Sequence, residues 1–246
     1  MMICNIQEVV SGIADILFPP TCPTCGAVLS DPAQGSFCAD CLGAIHRVTP
    51  PLCSSCGLPF PMSTEANHLC EDCILSPPPF SMARALGRYE GPLLEAIHLF
   101  KYHQSVAVGE ELGRMMALVV YDSLMMGTYS LIVPVPLHPK RLRERGFNQS
   151  LILARQVAKR HAVPLDFLTL RRRVHTEAQV RLSGKARTTN VRGAFEVTDR
   201  SRIEDERILL IDDVYTTGST AMECSRVLMR NGAREVAVLT LAKTSG

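Results

Sequence analysis

The apolar positions of the C-terminal part of the chain alternate between short continuous runs and helical spacing. Continuous runs, of which Ile208 to Ile211 is the clearest, predict strands over residues 131–135, 166–170, 194–197, 207–211 and 235–241. Apolar residues at helical spacing predict helices over residues 91–102, 106–126, 148–160 and 218–231. Strands that alternate with helices are typical of a mostly parallel sheet flanked by helices, so we predict an α/β domain over residues 80–246. Its ligand is expected in the crevice at the carboxyl ends of the strands.

The N-terminal part of the chain follows different patterns. Residues 1–19 place apolar side chains at the spacing of one amphipathic helix, which is expected to dock on the body or on a partner. Residues 20–75 are rich in Pro, Ser and Gly and have little apolar periodicity, so a bound metal is expected to supply most of their folding energy. A Pro-rich linker from Ser76 to Pro79 separates this module from the α/β domain.

Eight cysteines in the module at 20–75 form four Cys-x-x-Cys pairs, a spacing that lets two thiolates reach one ion. Four sulfurs suit tetrahedral Zn²⁺, and a closed Cys₄ site leaves no open coordination position, so the ions are expected to be structural. Sequential pairing predicts two stacked zinc ribbons, the first with Cys22, Cys25, Cys38 and Cys41, and the second with Cys53, Cys56, Cys70 and Cys73.

Three alternatives to two sequential zinc sites stay open at this point. A cross-braced arrangement would pair the first Cys-x-x-Cys with the third and the second with the fourth. Four thiolates would also hold an iron–sulfur cluster, and disulfides are disfavoured because the N-terminus has no secretion-signal pattern. Replacing Cys56 with Ser is expected to unfold the ribbon and to leave the α/β domain largely intact.

The charge distribution changes the picture of possible partners. The formal net charge is only +2, yet residues 1–80 contain one basic residue, Arg47, against seven acids, whereas residues 138–192 contain fourteen Lys or Arg against three acids. Such an excess is typical either of a solvated basic surface or of a site for phosphates, nucleotides or nucleic acid. No apolar run reaches the roughly eighteen residues that a membrane span needs, so we expect no membrane span and a cytoplasmic location.

The strongest chemical signal follows the strand predicted at 207–211. This strand delivers Asp212 and Asp213 to its end, and a helix opens shortly afterwards. Backbone N–H groups that converge at a helix N-terminus hold a phosphate dianion, and the vicinal hydroxyls of a ribose are partners for neighbouring carboxylates. The alternative is a plain strand-to-helix turn with a capping threonine. We predict a ribose 5-phosphate site with its phosphate donors at Thr217, Gly218, Ser219 and Thr220.

The segment from Leu210 to Thr220 resembles the phosphoribosyl pyrophosphate signature of type I phosphoribosyltransferases. Together with the four cysteine pairs and the segments Val133 to Leu137 and Arg145 to Gln149, it resembles the competence protein F family, a double zinc ribbon followed by a phosphoribosyltransferase domain. The resemblance covers nearly the whole chain.

This resemblance implies that phosphoribosyl pyrophosphate binds together with Mg²⁺. Asp212 and Asp213 would bind the ribose hydroxyls, and the segment Thr216 to Thr220 would bind the 5-phosphate. A pyrophosphate loop would follow Val135, and a flexible loop from Arg173 to Arg192 would close over the ligand. The remaining substrate-binding residues implied in this way are Pro136, Leu137, Arg145, Gln179 and Arg187, with Asn190 also in the flexible loop.

One residue departs from the purine-salvage members of that superfamily, which carry an acid at the position of Thr216. A threonine is no general base at neutral pH, so 6-oxopurine salvage is not expected. Transfer to another acceptor stays possible, because other transferases of the superfamily lack that acid.

Basic residues directly after the expected pyrophosphate loop suggest a second role. They would neutralise a diphosphate or follow the backbone of single-stranded nucleic acid. Members of the resembled family are associated with DNA uptake in natural transformation. Three hypotheses follow: a phosphoribosyl-pyrophosphate-binding protein of DNA uptake or single-stranded DNA processing, an active phosphoribosyltransferase, and a zinc-ribbon module that docks a partner such as a competence helicase. The basic residues are His138, Lys140, Arg141, Arg143 and Arg145, of which Lys140, Arg141 and Arg143 are the candidates for nucleic-acid binding.

Overall fold

A computed structural model describes residues 19–29, 31, 35–61, 66–121, 123–174 and 191–244. The helices in these ranges are α1 (Ala39–Gly43), α2 (Glu71–Leu75), α3 (Gly91–Tyr102), α4 (Val106–Ala117), α5 (Pro139–Arg145), α6 (Gln149–His161) and α7 (Ser219–Arg230). The strands are β1 (Met82–Arg88), β2 (Leu131–Pro134), β3 (Leu170–Arg172), β4 (Phe195–Val197), β5 (Arg207–Tyr215) and β6 (Glu235–Lys243). The helix predicted over residues 1–19 lies almost entirely outside the described residues, and the domain boundaries stay predictions.

The central sheet is parallel and has the strand order β1-β6-β5-β2. Its middle strands are almost continuously apolar, as expected for strands that are covered on both faces. Leu209, Ile211 and Leu239 pack on one face with the apolar sides of α3, α4 and α6. Leu210 and Val238 pack on the other face with α7 and with four cysteines of the N-terminal module. The prediction of a mostly parallel sheet flanked by helices is confirmed.

Strand β1 was absent from the sequence prediction, because its apolar pattern is broken by two arginines and a glycine. The structure shows how the first of these arginines is accommodated. Arg84 is 4% exposed, and its guanidinium donates to the carbonyl oxygens of Ala83 and Ser54 and to the Ser123 hydroxyl at 2.7–3.2 Å. A buried guanidinium, each nitrogen of which donates a hydrogen bond, thus occupies a strand position that looks polar in the sequence.

Other elements also differ from the prediction: β5 continues to Tyr215 rather than ending at residue 211, and β6 continues to Lys243 rather than ending at residue 241. Helix α4 ends at Ala117 rather than near residue 126, and a short 3₁₀ turn at Met126–Thr128 follows it. The strand predicted at 166–170 is shifted to Leu170–Arg172, because the buried Asp166 carboxylate accepts the backbone N–H groups of Leu168 and Thr169 and makes a turn there. Helix α5 was not predicted; its cap is His138, with Pro139 at the first helical position.

A separate antiparallel pair, β3 with β4, stands beside the parallel sheet. The two strands bracket residues 175–190, which lie outside the described residues. Among the helices that the structure describes, none combines the length and the apolar character needed to cross a bilayer. The cytoplasmic location stays a prediction.

Candidate functional site

The eight paired cysteines form two groups of four, and in each group the sulfur atoms lie within 4.8 Å of one another. We call Cys22, Cys25, Cys38 and Cys41 the first zinc site, and Cys53, Cys56, Cys70 and Cys73 the second zinc site. The Sγ–Sγ distances of Cys25–Cys38 and Cys56–Cys70 are 3.6 and 3.7 Å. Four sulfurs at about 2.3 Å from one Zn²⁺ in a tetrahedron would stand about 3.8 Å apart, so the residues fit the ion.

This arrangement decides among the pairings. The sequential pairing is confirmed, and the cross-braced pairing is wrong. The nine cysteines that the structure describes are all free, and a separation of 3.6 Å is far longer than the roughly 2.05 Å of a disulfide bond. The disulfide alternative is therefore also wrong for these residues.

Backbone N–H groups lower the pKa of one thiol in each zinc site, whereas burial and the neighbouring thiols raise the pKa of Cys41, Cys56 and Cys73. Burial raises the pKa of the Cys53 thiol, but the N–H groups of Cys70, Cys56 and Ser55 outweigh burial and lower the pKa to about 6. A donor set of this kind stabilises a thiolate, which is the form that binds zinc. Cys22 shows the same balance in the first zinc site, and its pKa is also lowered to about 6.

The two aspartates of the predicted ribose site lie on β5, which continues past them to Tyr215. They have different partners. Asp212 accepts a hydrogen bond from the Ser150 hydroxyl at 3.0 Å, at the start of α6. Asp213 forms an ion pair of 2.9 Å with the Lys101 ammonium, in the last turn of α3. Two helices on one face of the sheet thus hold the two carboxylates.

The electrostatics of this pair follow from burial and proximity. Burial and the charge of Asp213 raise the pKa of Asp212 to about 7, although the Asp213 N–H, Lys101 and Ser150 act in the opposite direction. Burial lowers the pKa of Lys101, but Asp213 more than compensates and raises it overall. A carboxylate pair that resists full ionisation is suited to a cation or to hydroxyl donors, which relieve the repulsion.

The segment Thr216–Thr220, which we call the phosphate loop, connects β5 to α7. Gly218 caps α7 in the left-handed conformation, with φ of 74°. The hydroxyls of Thr217 and Ser219 lie 2.7 Å apart, and α7 begins at Ser219. The first N–H groups of a helix have no intrahelical partner, so this loop presents donors and the positive end of a helix dipole. The structure therefore brings the two aspartates and the phosphate loop together in one strand–turn–helix unit.

The residues of the expected pyrophosphate loop lie at the same edge of the sheet. The Val135 N–H donates to the Ile211 carbonyl at 2.9 Å, which sets the following Pro136 and Leu137 beside the start of the aspartate pair. Arg145 is the last residue of α5, and its guanidinium lies 5.8 Å from the centre of the Tyr102 ring. Tyr102 follows Lys101 in the sequence. Lys140 and Arg143 are exposed on α5, and Arg141 is half-buried. Gln179, Arg187 and Asn190 lie outside the described residues.

Sequence reasoning missed several residues that the fold brings to this region. Lys101 and Ser150 are two of them; Ser150 carried a weak signal, because it follows the capping residue Asn148 at a helix start. Arg172 is a third: burial lowers its pKa, and the charges of Cys224 and Asp212 oppose that decrease. The Arg172 guanidinium lies 5.4 Å from the centre of the Phe195 ring on β4.

A cavity of about 840 Å³ was also missed. It lies between the pyrophosphate loop, α5, α6 and β3. Its walls combine apolar and aromatic side chains with several arginines, among them Phe147, Phe167, Arg155, Arg171 and Arg173.

Comparisons with known proteins agree with this arrangement. The double zinc ribbon domain family matches residues 13–74, and the phosphoribosyl transferase domain family matches residues 148–245. The chain is 32% identical to the "DNA utilization protein YhgH" of Escherichia coli strain K12, over 85% of this chain and 90% of that protein. It is also 32% identical to "Competence protein F" of Haemophilus influenzae, over 86% and 92%.

Among solved structures, the glutamine phosphoribosylpyrophosphate amidotransferase of B. subtilis is similar over 59% of this chain and 30% of that chain, with 19% identity and a TM-score of 0.41. The two 32% identical relatives extend over most of both chains, and the two matched domains occur in the order that the structure shows. The chain therefore belongs to the competence protein F family, in which a double zinc ribbon is joined to a domain of the phosphoribosyltransferase fold.

Proposed function

We propose that this protein binds phosphoribosyl pyrophosphate together with Mg²⁺ at the carboxyl end of β5. The observation that carries the proposal is the placement of Asp212 and Asp213 near the end of β5, two residues before the loop that opens α7. The carboxylates would accept the ribose hydroxyls, and the N–H groups and hydroxyls of the phosphate loop would donate to the 5-phosphate. The match to the phosphoribosyl transferase domain family supports this assignment.

The diphosphate end of the ligand would extend toward the loop after β2. Pro136 and Leu137 would offer backbone groups, and Arg145 would offer positive charge from the end of α5. Gln179 and Arg187 belong to the same proposal as parts of a closing loop. Mg²⁺ prefers oxygen ligands and commonly bridges substrate phosphates, so the ligand itself would supply most of its coordination.

Titration calorimetry of phosphoribosyl pyrophosphate, with and without Mg²⁺, tests this proposal. We expect binding that depends on Mg²⁺ and that is lost in the double variant Asp212→Asn, Asp213→Asn, because an amide binds a cation and hydroxyl donors less well than a carboxylate does. Asp205→Asn is the matched control: Asp205 is exposed beyond the amino end of β5, and its positive φ of 61° is tolerated by asparagine. Equal affinity in the double variant and in the parent would exclude the ribose assignment.

A role with single-stranded DNA is a second proposal, and the cavity beside the pyrophosphate loop favours it. The sequence offered one aromatic residue near the basic segment, whereas the structure brings Phe167, which is 47% exposed, to the same cavity as Phe147. Arg155, Arg171 and Arg173 line this cavity as well. Aromatic rings that stack on bases, beside cations that follow phosphates, are the usual combination in single-strand binding. The printed names of the relatives concern DNA utilization and competence, which fits such a partner.

Fluorescence anisotropy with labelled single-stranded DNA, at several salt concentrations, tests the DNA proposal. Affinity is expected to fall with salt at a log–log slope of about −0.7 per phosphate contacted. The double variant Arg141→Ala, Arg143→Ala is expected to reduce the magnitude of that slope by the amount that corresponds to about two phosphate contacts. This reduction is expected to depend little on base sequence. Arg200→Ala is the control, because Arg200 is exposed and pairs with Glu204 before β5, away from α5. A flat salt dependence, or full displacement of DNA by phosphoribosyl pyrophosphate, would contradict the proposal.

Catalytic transfer is a separate question that the same sample addresses. Thr216 is exposed at the start of the phosphate loop and offers no general base, so any transfer would depend on the acceptor and on groups near it. Release of diphosphate with a candidate acceptor would establish a phosphoribosyltransferase. DNA binding that survives the loss of both aspartates would instead favour a docking role of the zinc ribbons, with a competence helicase as the proposed partner.

A further inference from the structure

The second zinc site lies within the core beneath the phosphate loop. Its four cysteines belong to the same buried cluster as Tyr215 of β5 and Val238 of β6. The backbone reinforces this contact, because the Ala83 N–H of β1 donates to the Ser55 carbonyl between two of the ligands at 2.7 Å. The first zinc site differs: Cys25 is exposed, and Cys22 and Cys41 pack in the cluster on the opposite face of the sheet. Two sites of the same chemistry thus have different neighbours.

Lys243 connects the second zinc site to Tyr215. This lysine is the last residue of β6 and is 6% exposed, and its ammonium stands 3.7 Å from the centre of the Tyr215 ring. The four cysteines of the second zinc site and Tyr215 belong to one buried cluster, so the ring that this ammonium covers packs in the same core as the zinc ligands. Zinc with four thiolates would carry a net negative charge, which favours a buried ammonium in the same core.

Tyr215 in turn packs against the phosphate loop. A Cβ atom at Gly218 would overlap the hydroxyl and ring atoms of Tyr215, so the ring lies directly against the Gly218 backbone. The residue after Lys243 also holds the loop: the Thr244 N–H donates to the Tyr215 carbonyl at 3.1 Å, and the Thr244 hydroxyl to the Thr216 carbonyl at 3.5 Å. The conformation of the loop therefore depends on where Tyr215 and the end of β6 are held.

We propose that Tyr215 is a positioning residue of the phosphate loop, and that the second zinc site holds it against Gly218 through the core that they share, with Lys243 over the ring. Loss of zinc from the second site then loosens the loop and weakens phosphate binding, whereas loss from the first site leaves the loop in place. The consequence for ligand affinity rests on the function proposed above. The consequence for loop order does not.

Hydrogen–deuterium exchange of residues 214–222, without ligand, tests the coupling directly. We expect faster exchange there in Cys56→Ser and in Lys243→Met, and the parent rate in Cys25→Ser, which also loses one zinc ion. Lys243→Arg keeps a cation over the ring and is expected to restore most of the protection, which a purely packing role of the side chain would not predict. In Cys56→Ser and Lys243→Met we expect the apparent Kd for phosphoribosyl pyrophosphate to rise about tenfold if the ordered fraction of the loop falls to about one tenth.

Each outcome has a definite meaning. Parent-like exchange of residues 214–222 in Lys243→Met, or equal loosening in Cys25→Ser, overturns the proposal. If Cys56→Ser loses the sheet, as far-ultraviolet circular dichroism would show, then Lys243→Met and Lys243→Arg decide the matter in a folded protein. If the parent protein does not bind phosphoribosyl pyrophosphate, the proposed function fails, but the exchange comparison still supports or overturns the coupling.

Discussion

At the scale of single residues, two adjacent carboxylates have been given different surroundings. Asp213 has a cation as its partner, whereas Asp212 has a hydroxyl and a backbone N–H. Charge on Asp212 is costly, because burial and the neighbouring negative charge both raise its pKa. The folded protein without ligand holds a carboxylate that would be more stable neutral, which is expected of a residue retained for binding.

The pH dependence of stability follows from this. The pKa of Asp212 is about 7 in the folded protein and near 3.8 in its ordinary state, so the folded chain binds this proton more tightly than the unfolded chain does. The resulting destabilisation is absent at low pH, grows as pH rises above about 4, and is complete above about 7. We expect the melting temperature of Asp212→Asn to exceed that of the parent by more at pH of about 8 than at about 5. Thermal unfolding at several pH values measures this, with Asp205→Asn as the control variant. A difference for Asp212→Asn that shrinks toward high pH would refute the assignment.

At the scale of elements, close contacts between helices fix the carboxylate partners in place. Lys101 reaches Asp213 from the last turn of α3, and α3 packs closely against α4 at Gly109. Any Cβ at Gly109 would overlap the buried ring of Phe100, one residue before Lys101. This glycine is in a helix interior, where it is intrinsically unfavourable, so packing rather than backbone preference explains it.

Gly109→Ala is therefore expected to destabilise the protein by about 1–3 kcal/mol, although alanine is the better helix former. Urea unfolding measures the change. Gly127→Ala is the matched control, because nothing lies within 4 Å of a Cβ at that position and the substitution is expected to be neutral or slightly stabilising. Equal stability of the two variants would show that α3 and α4 are less tightly packed than the structure indicates.

At the scale of the whole molecule, the two zinc sites do not form one detached module. The second zinc site shares its core with the central sheet, so the expectation that Cys56→Ser would leave the α/β domain largely intact needs revision: the substitution is expected to reach β5 and β6. Within the first zinc site Cys25 is exposed and Cys38 is half-buried. The two ions should therefore differ in accessibility although their ligands are the same.

Elemental analysis is expected to give two zinc ions per chain. A chromogenic chelator is expected to remove them in two phases, the faster from the first zinc site, because Cys25 is exposed while Cys53 is 0% exposed and Cys73 is 5% exposed. Cys25→Ser should abolish the fast phase and keep the slow one. Release of both ions in one phase would show that burial does not protect the second zinc site.

The sequence by itself determined those features whose residues lie close together along the chain. The Cys-x-x-Cys spacing selected the zinc ligands, and a run of apolar residues before Asp212 indicated the strand and the turn that follows it. The local sequence is enough in these cases, because the residues of each motif are close neighbours along the chain. The pairing of the four Cys-x-x-Cys motifs was left open by the sequence, and the structure decided it.

Only the tertiary structure decided which distant residues meet at these motifs. Lys101 and Ser150 are far from Asp212 in the chain, and Lys243 is far from Cys56. The parallel strand order nevertheless places the ends of β5 and β6, and the helices that connect the strands, at one edge of the sheet. Burial of both faces of the sheet sets this arrangement, and it depends on the summed packing of the core rather than on any one segment. A single lysine or serine carries no pattern of its own that would reveal such a contact, which is why these residues could not be predicted from the sequence.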